Sequence, residues 1–392
     1  MTQLPAPPRP HAAPRTGNVE LASLLGRALR PLDHPSAQFL LAGRRILITG
    51  AGGSIGGALA RQIAAFAPAR LGLLDHSEYA LWRVVQDIST THPAQPIIAS
   101  IRDATRLRAI LESFRPDLVF HAAALKHVPL VQDHPTEGLL TNTIGTRHLI
   151  DAARAAGVQT LILVSTDKAV APRSVMGASK RLAEMYGQAT DIAAQGRAEA
   201  LRCVSLRLGN VLGSAGSVME IFARQLAQGG PLTLTHPDMT RYFIAPEEAV
   251  ALLLATAALC TNHEPPPGAI LVPDMGAPIR IQDLACRMIL AAGLRPGQDI
   301  SLQFTQPRAG EKLTEQSCHG AEPIQPTPCP GLMAVTPHTA DLALAARAFD
   351  ELEAACHLAQ AGDDPHLALT LVSRLIPGFD HRPEDQANRR RA

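Results

Sequence analysis

Short apolar runs recur along the first half of the chain, and each is followed by a polar turn and a helix-like stretch. The runs lie at residues 45–49, 70–74, 97–99, 118–121 and 160–165. Apolar strands that alternate with helices are typical of a parallel sheet with helices on both faces. The pattern therefore predicts an α/β fold around a doubly wound parallel sheet.

The second half has a mixed pattern. Short strand-like runs and helical patterns alternate, with strands at 204–207, 232–235 and 269–271 and helices near 218–228, 247–259 and 281–292. We expect a main sheet domain over residues 41–203 and a smaller mixed α/β lobe over 204–320, interleaved with the last sheet strands.

The two ends of the chain lie outside this pattern. Residues 1–18 carry five prolines and no apolar periodicity, which predicts a disordered arm. Residues 19–40 form a predicted helical extension, with an amphipathic helix at 19–32. Residues 321–392 form a C-terminal extension with a predicted helix near 339–358. Neither end is expected to carry the main chemistry.

Composition narrows the classes of partner. Hydrophobic residues make up 46% of the chain, enough for a large core, and the formal charge is only +1. That balance argues against binding to nucleic acid or to an acidic membrane surface. The longest apolar run, residues 249–260, is 12 residues long, whereas roughly 20 are needed to span a bilayer. We expect a soluble, cytoplasmic protein without a membrane span.

The six cysteines have no paired spacing, so neither a metal site nor a disulfide framework is predicted. The use of lysine is more informative. The chain has 36 basic residues and only four lysines, Lys126, Lys168, Lys180 and Lys312, so 36 − 4 = 32 are arginines. Genome base composition is one explanation. Lysine, however, can lose its proton and arginine cannot, so the retained lysines are candidates for functional sites.

A glycine-rich turn joins the first predicted strand to its helix, and it reads Thr-Gly-Ala-Gly-Gly-Ser-Ile-Gly at residues 49–56. Such a turn lets a pyrophosphate approach the backbone at a helix N-terminus. Together with a second strand that ends in an acid, it predicts a Rossmann-type dinucleotide site, with these residues on the cofactor: Gly50, Gly53, Ser54, Ile55 and Gly56.

Asp75 ends the second strand and is placed to accept hydrogen bonds from the adenosine ribose hydroxyls. A 2′-phosphate would meet this carboxylate, so NAD is favoured over NADP. Arg83 and Arg102 are close enough in sequence to change that preference. Asp103 is a candidate for the adenine or a simple turn residue. The small residues Ala122, Ala123 and Ala124 suit a backbone that runs beside a cofactor.

The second candidate site follows the strand at 160–165, at the carboxyl edge where open α/β sheets bind ligands. A reductase would have Tyr-x-x-x-Lys here, but Met176 stands where tyrosine is expected, four residues before Lys180. Either the chain has lost this chemistry or another ionisable group performs it. Thr166, Asp167 and Lys168 supply a hydroxyl, an acid and a base. Met176 is then placed near the substrate ring or in the core.

At these motifs the chain resembles a known family, the nucleotide-sugar 4,6-dehydratases of polysaccharide biosynthesis, within the extended short-chain dehydrogenase/reductases. The resemblance covers roughly residues 19–315 and is carried by TGAGGSIG (49–56), LLDHSEYALW (73–82), HAAALKHVPL (121–130), STDKAV and VMGASK (165–180), HPDMTRYF (236–243) and RAGEKL (308–313). It is most similar to the branch that acts on UDP-N-acetylglucosamine and has methionine for tyrosine. Many members of that branch carry an N-terminal membrane region, which we do not expect here.

The resemblance implies a mechanism. NAD takes hydride from C4 of the sugar and returns it to C6, Lys168 removes the C5 proton, and protonated Asp167 assists departure of the C6 hydroxyl. Lys180 would bind the nicotinamide ribose. For the proton of the C4 hydroxyl, Thr166 is the candidate, relayed through Asp167 or water.

The resemblance also implies the contacts of the UDP-sugar. They are Lys126, His127, Asn210, Arg241, Arg308 and Glu311. A departure at Val131-Gln132, where the family commonly has Met-Glu, bears on sugar preference. A UDP-sugar epimerase and a catalytically inactive NAD-binding protein remain as alternatives. A homo-oligomer is expected from the fold class.

Overall fold

The computed structural model describes residues 18–29, 40–89, 92–197, 200–262, 265–320, 322–362 and 364–380. The predicted arm, apart from Asn18, and the last twelve residues lie outside the described residues. Strands in the described residues are, in chain order, β1 Arg45–Thr49, β2 Arg70–Asp75, β3 Gln95–Ile98, β4 Leu118–His121, β5 Thr160–Thr166, β6 Arg202–Leu208, β7 Asn210–Val211, β8 Leu232–Leu234, β9 Thr240–Arg241, β10 Phe243–Ile244, β11 Ile270–Pro273, β12 Ile279–Arg280, β13 Leu302–Phe304, β14 Ile324–Pro326 and β15 Leu332–Val335.

The described α-helices are α1 Asn18–Leu25, α2 Ser54–Ala64, α3 Glu78–Ile88, α4 Ala104–Phe114, α5 Val128–Asp133, α6 Pro135–Gly138, α7 Gly145–Ala155, α8 Val175–Ala193, α9 Val218–Ala227, α10 Pro246–Thr261, α11 Ile281–Ala291, α12 Leu342–Gly362 and α13 His366–Leu375. A π-helical turn, Leu139–Ile144, runs into α7, and a 3₁₀ turn, Asp167–Ala169, follows β5. Because it carries the candidate catalytic residues Asp167 and Lys168, we call Asp167–Ala169 the catalytic turn.

Nine strands form one sheet in the order β14-β15-β11-β6-β5-β4-β1-β2-β3. From β3 to β11 every neighbouring pair is parallel, whereas β15 and β14 are antiparallel. Helices pack on both faces, and each face has its own apolar cluster. The Rossmann-type α/β prediction is confirmed. The strand order reverses between β1 and β4, which opens a crevice at their carboxyl ends.

The smaller lobe has a third apolar cluster, built on α9, α11 and β8. Helix α1 contributes Leu21, Leu24 and Leu25 to that cluster, so the N-terminal extension packs on the smaller lobe. The predicted helix at 19–32 is too long. It ends at Leu25 because Gly26 adopts φ +66°, a left-handed conformation that suits glycine.

The C-terminal extension adds more to the fold than its sequence pattern indicates. Strand β14 lies at the edge of the sheet in a proline-rich stretch, where proline is tolerated because one side needs no ladder hydrogen bonds. Helix α12 packs on α8, and the rings of Phe349 and Tyr186 lie 5.1 Å apart. None of the described helices is both long enough and apolar enough to cross a membrane.

One exposed pair of aromatic residues stands out in a chain with 3% aromatics. Tyr79 and Trp82 stack on the outer face of α3 with ring centroids 6.3 Å apart, and the indole is 56% exposed. Both lie in the first turns after Asp75 and Ser77, next to the crevice end of β2.

Candidate active site

The glycine-rich turn between β1 and α2 is closed by contacts between backbones. Gly50 adopts φ +69°, and a Cβ built on it would collide with the backbone of Ala122 and Ala123. A Cβ on Gly56 would collide with the carbonyl oxygen of Gly50. Both positions require glycine for space, and the first also for conformation. The turn therefore lies directly against the loop after β4.

The N-terminus of α2 is free to bind an anion. Its N-cap is Gly53, and no side chain of the described residues caps the N–H groups of Ser54, Ile55 and Gly56. The carboxylate of Asp75 accepts from Gly52 N at 2.9 Å and from Ser77 N at 2.9 Å, which fixes it beside the turn. A glycine cradle, an open helix N-terminus and a carboxylate at the end of β2 fit a dinucleotide with free ribose hydroxyls.

Two other predicted cofactor residues have protein partners. Arg102 donates to Glu137 at 2.6 Å, and the other oxygen of Glu137 accepts from Gln360 of α12. Asp103 caps α4 by accepting from Arg106 N at 2.8 Å. These contacts explain both residues as structural; their contact with a cofactor stays a prediction, as does that of Ala124.

The catalytic turn brings the three predicted groups together at the carboxyl end of β5. The Lys168 ammonium donates to Asp167 Oδ1 at 2.8 Å and to Asn210 Oδ1 at 2.8 Å. Thr166 Oγ1 donates to the same Asp167 oxygen at 2.9 Å. Asn210, which begins β7, was predicted as a substrate contact, and here it also holds the lysine. Hydroxyl, carboxylate, ammonium and amide form one continuous chain.

The second oxygen of Asp167 is unsatisfied. The side chain is fully buried, and Oδ2 has no hydrogen-bond partner among the described residues. Buried carboxylate oxygens are seldom left in this state because desolvation without a partner is unfavourable. An orphaned acceptor beside a lysine is an atom prepared to meet the hydroxyl of a ligand.

Helix α8 presses Met176 and Lys180 against the turn. A Cβ on Gly177 would collide with the carbonyl oxygen of Lys168, so the helix approaches as closely as glycine allows. Met176 is 4% exposed and belongs to the apolar cluster on that face of the sheet. Packing in the core, one of the two placements considered for it, accounts for what the structure shows. A place beside a sugar ring stays a prediction.

Lys180 is buried, and its ammonium has no hydrogen-bond acceptor among the described residues. Burial lowers the pKa of Lys180 to about 8, and the carboxylate of Glu184 opposes that shift. Close by, His121 is held between Thr49 Oγ1 at 2.7 Å and Thr146 Oγ1 at 2.9 Å. Burial and the charge of Lys180 lower the pKa of His121 to about 3, which keeps the imidazole neutral.

A buried ionic cluster under the turn was missed by sequence analysis. Glu184 of α8 accepts from Ser165 Oγ at 2.6 Å and from Arg207 Nε at 3.0 Å. Arg207 also pairs with Glu322, and Arg181 pairs with Glu184. The cluster holds Ser165, and so the end of β5, in place. Its one signal was Arg207 near the end of β6, a strand buried beyond its first residue, where a guanidinium requires a carboxylate partner.

A second missed residue is Asn142, in the π-helical turn. Its side chain accepts from Leu125 N at 2.7 Å, donates to Leu125 O at 2.9 Å and donates to Ser179 Oγ at 3.0 Å. It therefore fixes the loop that carries Lys126 against α8. The extra residue per turn of a π-helix commonly accompanies functional sites.

Lys126 and His127 lie on that loop and face the loop before α9. The His127 ring occupies the space that a Cβ of Gly216 would need. Burial lowers the pKa of both side chains, Lys126 also lowers that of His127, and Glu220 opposes both shifts. Glu220 of α9 lies near both side chains, whose contact with a substrate stays a prediction.

The remaining predicted substrate contacts lie around one segment of the chain. They are Arg241, Arg308 and Glu311. Arg241 is buried, and its Nη1 donates to the carbonyls of Thr240 and Leu313 at 2.7 and 3.2 Å. Arg308 has an exposed side chain. Its backbone N–H donates to Glu311 Oε2 at 3.0 Å. The structure places all three around the segment that carries RAGEKL, and their contacts with a nucleotide stay predictions.

Comparison with known proteins matches the chain to a family described as polysaccharide biosynthesis protein, over residues 46–337. The capsular polysaccharide biosynthesis protein CapD of Staphylococcus aureus is 41% identical over 302 residues, 76% of this chain and 49% of that protein. The chain thus spans about half the length of that relative. A UDP-N-acetylglucosamine 4,6-dehydratase (inverting) of Campylobacter jejuni is 33% identical over 276 residues, 70% of this chain and 77% of that one.

Among solved structures, the chain matches DesIV, a dTDP-glucose 4,6-dehydratase of Streptomyces venezuelae solved with NAD bound. The match has a TM-score of 0.60 and 23% identity, and it covers 70% of this chain and 88% of that chain. At this identity the match shows the shared fold alone. The glycine-rich turn and the catalytic turn described above both lie at the carboxyl edge of this sheet, after β1 and β5.

Proposed function

The chain belongs to the polysaccharide biosynthesis protein family, whose members include nucleotide-sugar dehydratases, and on that premise we propose that it is an NAD-dependent UDP-N-acetylglucosamine 4,6-dehydratase. The observation that carries the proposal is the Asp167–Lys168 pair, joined at 2.8 Å at the end of β5, with Asp167 Oδ2 buried and without a partner. Elimination needs an acid and a base side by side, and simple epimerisation does not. The product would be the 4-keto-6-deoxy sugar, a precursor for surface polysaccharide or glycan synthesis.

When bound, NAD supplies a hydride acceptor and donor for an internal redox cycle. The glycine-rich turn and Asp75 would hold the cofactor, and Lys180 would bind the nicotinamide ribose. No net oxidant is needed, because the hydride removed from C4 returns to C6.

The pair that elimination needs, protonated Asp167 and neutral Lys168, differs from the observed ion pair by the position of one proton. Elimination requires neutral Lys168 to take the C5 proton and protonated Asp167 to give one to the departing C6 oxygen. That state has the same proton count as the ion pair, and a move across the 2.8 Å hydrogen bond interconverts them. Between free lysine and free aspartic acid in water the neutral pair is disfavoured by roughly 9 kcal/mol. A bound sugar excludes water, which destabilises the ion pair relative to the neutral pair and reduces this free-energy difference.

Thr166 is the proposed route for the proton of the C4 hydroxyl. Its hydroxyl donates to Asp167 Oδ1 at 2.9 Å, so a proton taken from the C4 hydroxyl passes through it to the ionised carboxylate. Lys168 then releases its own proton to solvent, which leaves the protonated acid and the neutral base that elimination needs. The proton on Asp167 departs with the C6 oxygen as water. Asn210 keeps the lysine on the other side of the pair. Asn210 acts by orientation alone, since its amide carries no charge and takes no proton.

The remaining predicted contacts surround the nucleotide. Lys126 and His127 are proposed to border the sugar and diphosphate from the loop after β4. Arg241 and Arg308 would bind the diphosphate, since guanidinium donors bind paired oxygens, and Glu311 would bind the uridine ribose.

The test is to incubate the full chain with UDP-N-acetylglucosamine and NAD and to follow the sugar by NMR. A new C6 methyl signal with loss of the C6 hydroxymethyl signal supports dehydration. A 4-epimer would establish the epimerase alternative. Unchanged UDP-N-acetylglucosamine, with related UDP-sugars also unchanged, would establish that the chain is a catalytically inactive NAD-binding protein.

A variant locates the chemistry. Lys168→Ala should abolish the methyl product while NAD affinity stays unchanged, because the lysine belongs to the elimination step and not to the cofactor cradle. Arg295→Ala is the matched control, because it removes a cation of the smaller lobe whose ion pair with Asp299 is solvent-exposed. Full activity of Lys168→Ala would overturn the assignment of the base.

A further inference from the structure

The RAGEKL segment, residues 308–313, contacts both the residues around the catalytic turn and the smaller lobe. Gly310 adopts φ +80°, and a Cβ on it would lie 2.8 Å from the Cβ of Ser174. Ser174 caps α8 by accepting from Gly177 N at 3.1 Å. Further along, the carbonyl of Leu313 accepts from Thr240 N at 2.9 Å. The segment is thus packed on α8 at one end and joined to β9 of the smaller lobe at the other.

Between these two attachments, Lys312 reaches back to the main domain. Its ammonium donates to the carbonyl of Val170 at 2.7 Å and lies 3.1 Å from Glu315 Oε2. Both side chains are almost covered, at 12% and 5% exposure. Val170 N in turn donates to Asp167 O at 3.1 Å, the hydrogen bond that closes the catalytic turn. One ammonium therefore connects the RAGEKL segment to the peptide that ends the turn.

The chemistry of this contact favours a lysine. A compact ammonium can donate to a carbonyl and pair with a carboxylate at once, and a charged donor strengthens the hydrogen bond. Of the four lysines in a chain with 32 arginines, Lys312 is the one that the proposed dehydratase chemistry leaves without a role.

We propose that Lys312 is a positioning residue. It holds the catalytic turn against the RAGEKL segment, so that the bound nucleotide and the Asp167–Lys168 pair keep a fixed relative position. The inference rests on the proposed function, because Arg308 and Glu311 of the same segment are the proposed nucleotide contacts. Lys312 itself does not touch the reacting atoms. Its effect is on the place of Asp167 and Lys168, and a misplacement of about 1 Å can lower a rate about 100-fold.

The experiment compares Lys312→Met with the full-length wild type in kcat, KM, affinity for UDP and the thermal midpoint. Lys312→Met should lower kcat by about 30- to 100-fold, with UDP affinity changed by no more than about 2-fold, since the contact fixes the turn and not the nucleotide. Lys312→Arg keeps a cation with donors and should regain most of the rate. Arg295→Met, which removes an exposed cation of the same lobe, should behave as wild type.

Hydrogen–deuterium exchange of the peptide over residues 166–172 gives a readout that does not require turnover. Exchange there should rise in Lys312→Met and stay unchanged over β1 and α2. A wild type that does not convert UDP-N-acetylglucosamine would refute the proposed function, and the exchange result would then decide on Lys312 alone.

The inference is overturned by unchanged exchange over 166–172, by a kcat within about 2-fold of wild type, or by a loss of UDP affinity as large as the loss of rate. A matching loss in Arg295→Met would also overturn it, because the effect would then belong to the charge of the lobe.

Discussion

The two sides of the crevice are built differently. On the cofactor side, backbone meets backbone: Gly50 lies against Ala123, and Gly56 lies against the carbonyl of Gly50. On the substrate side, side chains hold the parts together, as Asn210 holds Lys168 and Lys312 holds the carbonyl of Val170. A backbone contact has no adjustable atoms, whereas a side-chain contact can lengthen, rotate or admit water. We expect the first side to fail abruptly when altered and the second to fail by degrees.

The largest expected effect breaks the backbone side. Gly50→Ala adds a Cβ at φ +69° that collides with Ala123, so the turn must open. NAD affinity should fall by at least about 100-fold, close to 3 kcal/mol, in a calorimetric titration. Gly157→Ala is the control, since Gly157 has φ +72° and nothing within 4 Å of the added carbon.

Gly157→Ala should lower stability by about 1–2 kcal/mol from backbone strain and leave NAD affinity unchanged. Equal losses of NAD affinity in the two variants would show that general strain, and not the close approach of the backbones, governs the cofactor side.

A smaller effect concerns His121 at the end of β4, where the imidazole is buried and neutral. Its folded pKa is about 3, below the value of 6.5 for an exposed histidine. The unfolded chain therefore binds a proton first as pH falls below 6.5, and stability is lost from there down to about pH 3. Between pH 7 and pH 5 the loss attributable to His121 is about 2 kcal/mol.

Urea unfolding of wild type and His121→Asn at the two pH values measures this difference. The variant should be less stable at pH 7, since the bonds to Thr49 and Thr146 are altered, but should lose about 2 kcal/mol less on acidification. The same pH dependence in both proteins would refute the burial of a neutral imidazole at this position.

The smallest expected effect tests the substrate side, where side chains hold the parts together. Asn210→Ala removes one acceptor of the Lys168 ammonium and leaves the bond to Asp167 in place. We expect kcat to fall about 10-fold, since one hydrogen bond to a charged group contributes about 1.5 kcal/mol, with NAD affinity unchanged. Initial rates measured by NMR on the sugar provide the check.

Gln225→Ala is the matched control for that variant, because it deletes an amide that bonds Thr233 within the same lobe. A rate loss of equal size in Gln225→Ala would mean that the lobe as a whole, and not the Lys168 contact, was affected.

This contrast also explains what the sequence could predict. Parts built from backbone contacts depend on residue spacing. The glycines at 50, 53 and 56, the alternation of strands and helices in a parallel sheet and the acid at the end of β2 could therefore be predicted from the sequence. The group Thr166-Asp167-Lys168 was found because three chemically distinct side chains are adjacent. The structure then brought them into one hydrogen-bonded chain.

Contacts between residues far apart in sequence left little or no such mark. Asn142 meets Leu125 and Ser179 across two loops, and Arg207 meets Glu322 across 115 residues. Strands β14 and β15 were missed because their ladder depends on a partner, β11, and not on a local apolar pattern. The rarity of lysine singled out Lys312 in advance, but only the structure showed what it holds.

The aromatic pair on α3 gives the protein an optical label of its own. Trp82 is the single tryptophan of the chain. It stands 56% exposed beside Tyr79, a few residues beyond Asp75. Intrinsic tryptophan emission therefore originates from one residue, on the helix that follows β2, with no contribution from the smaller lobe. A fluorescence titration of the unlabelled protein observes the cofactor side alone, and events on the substrate side become visible in it only when they are transmitted across the crevice.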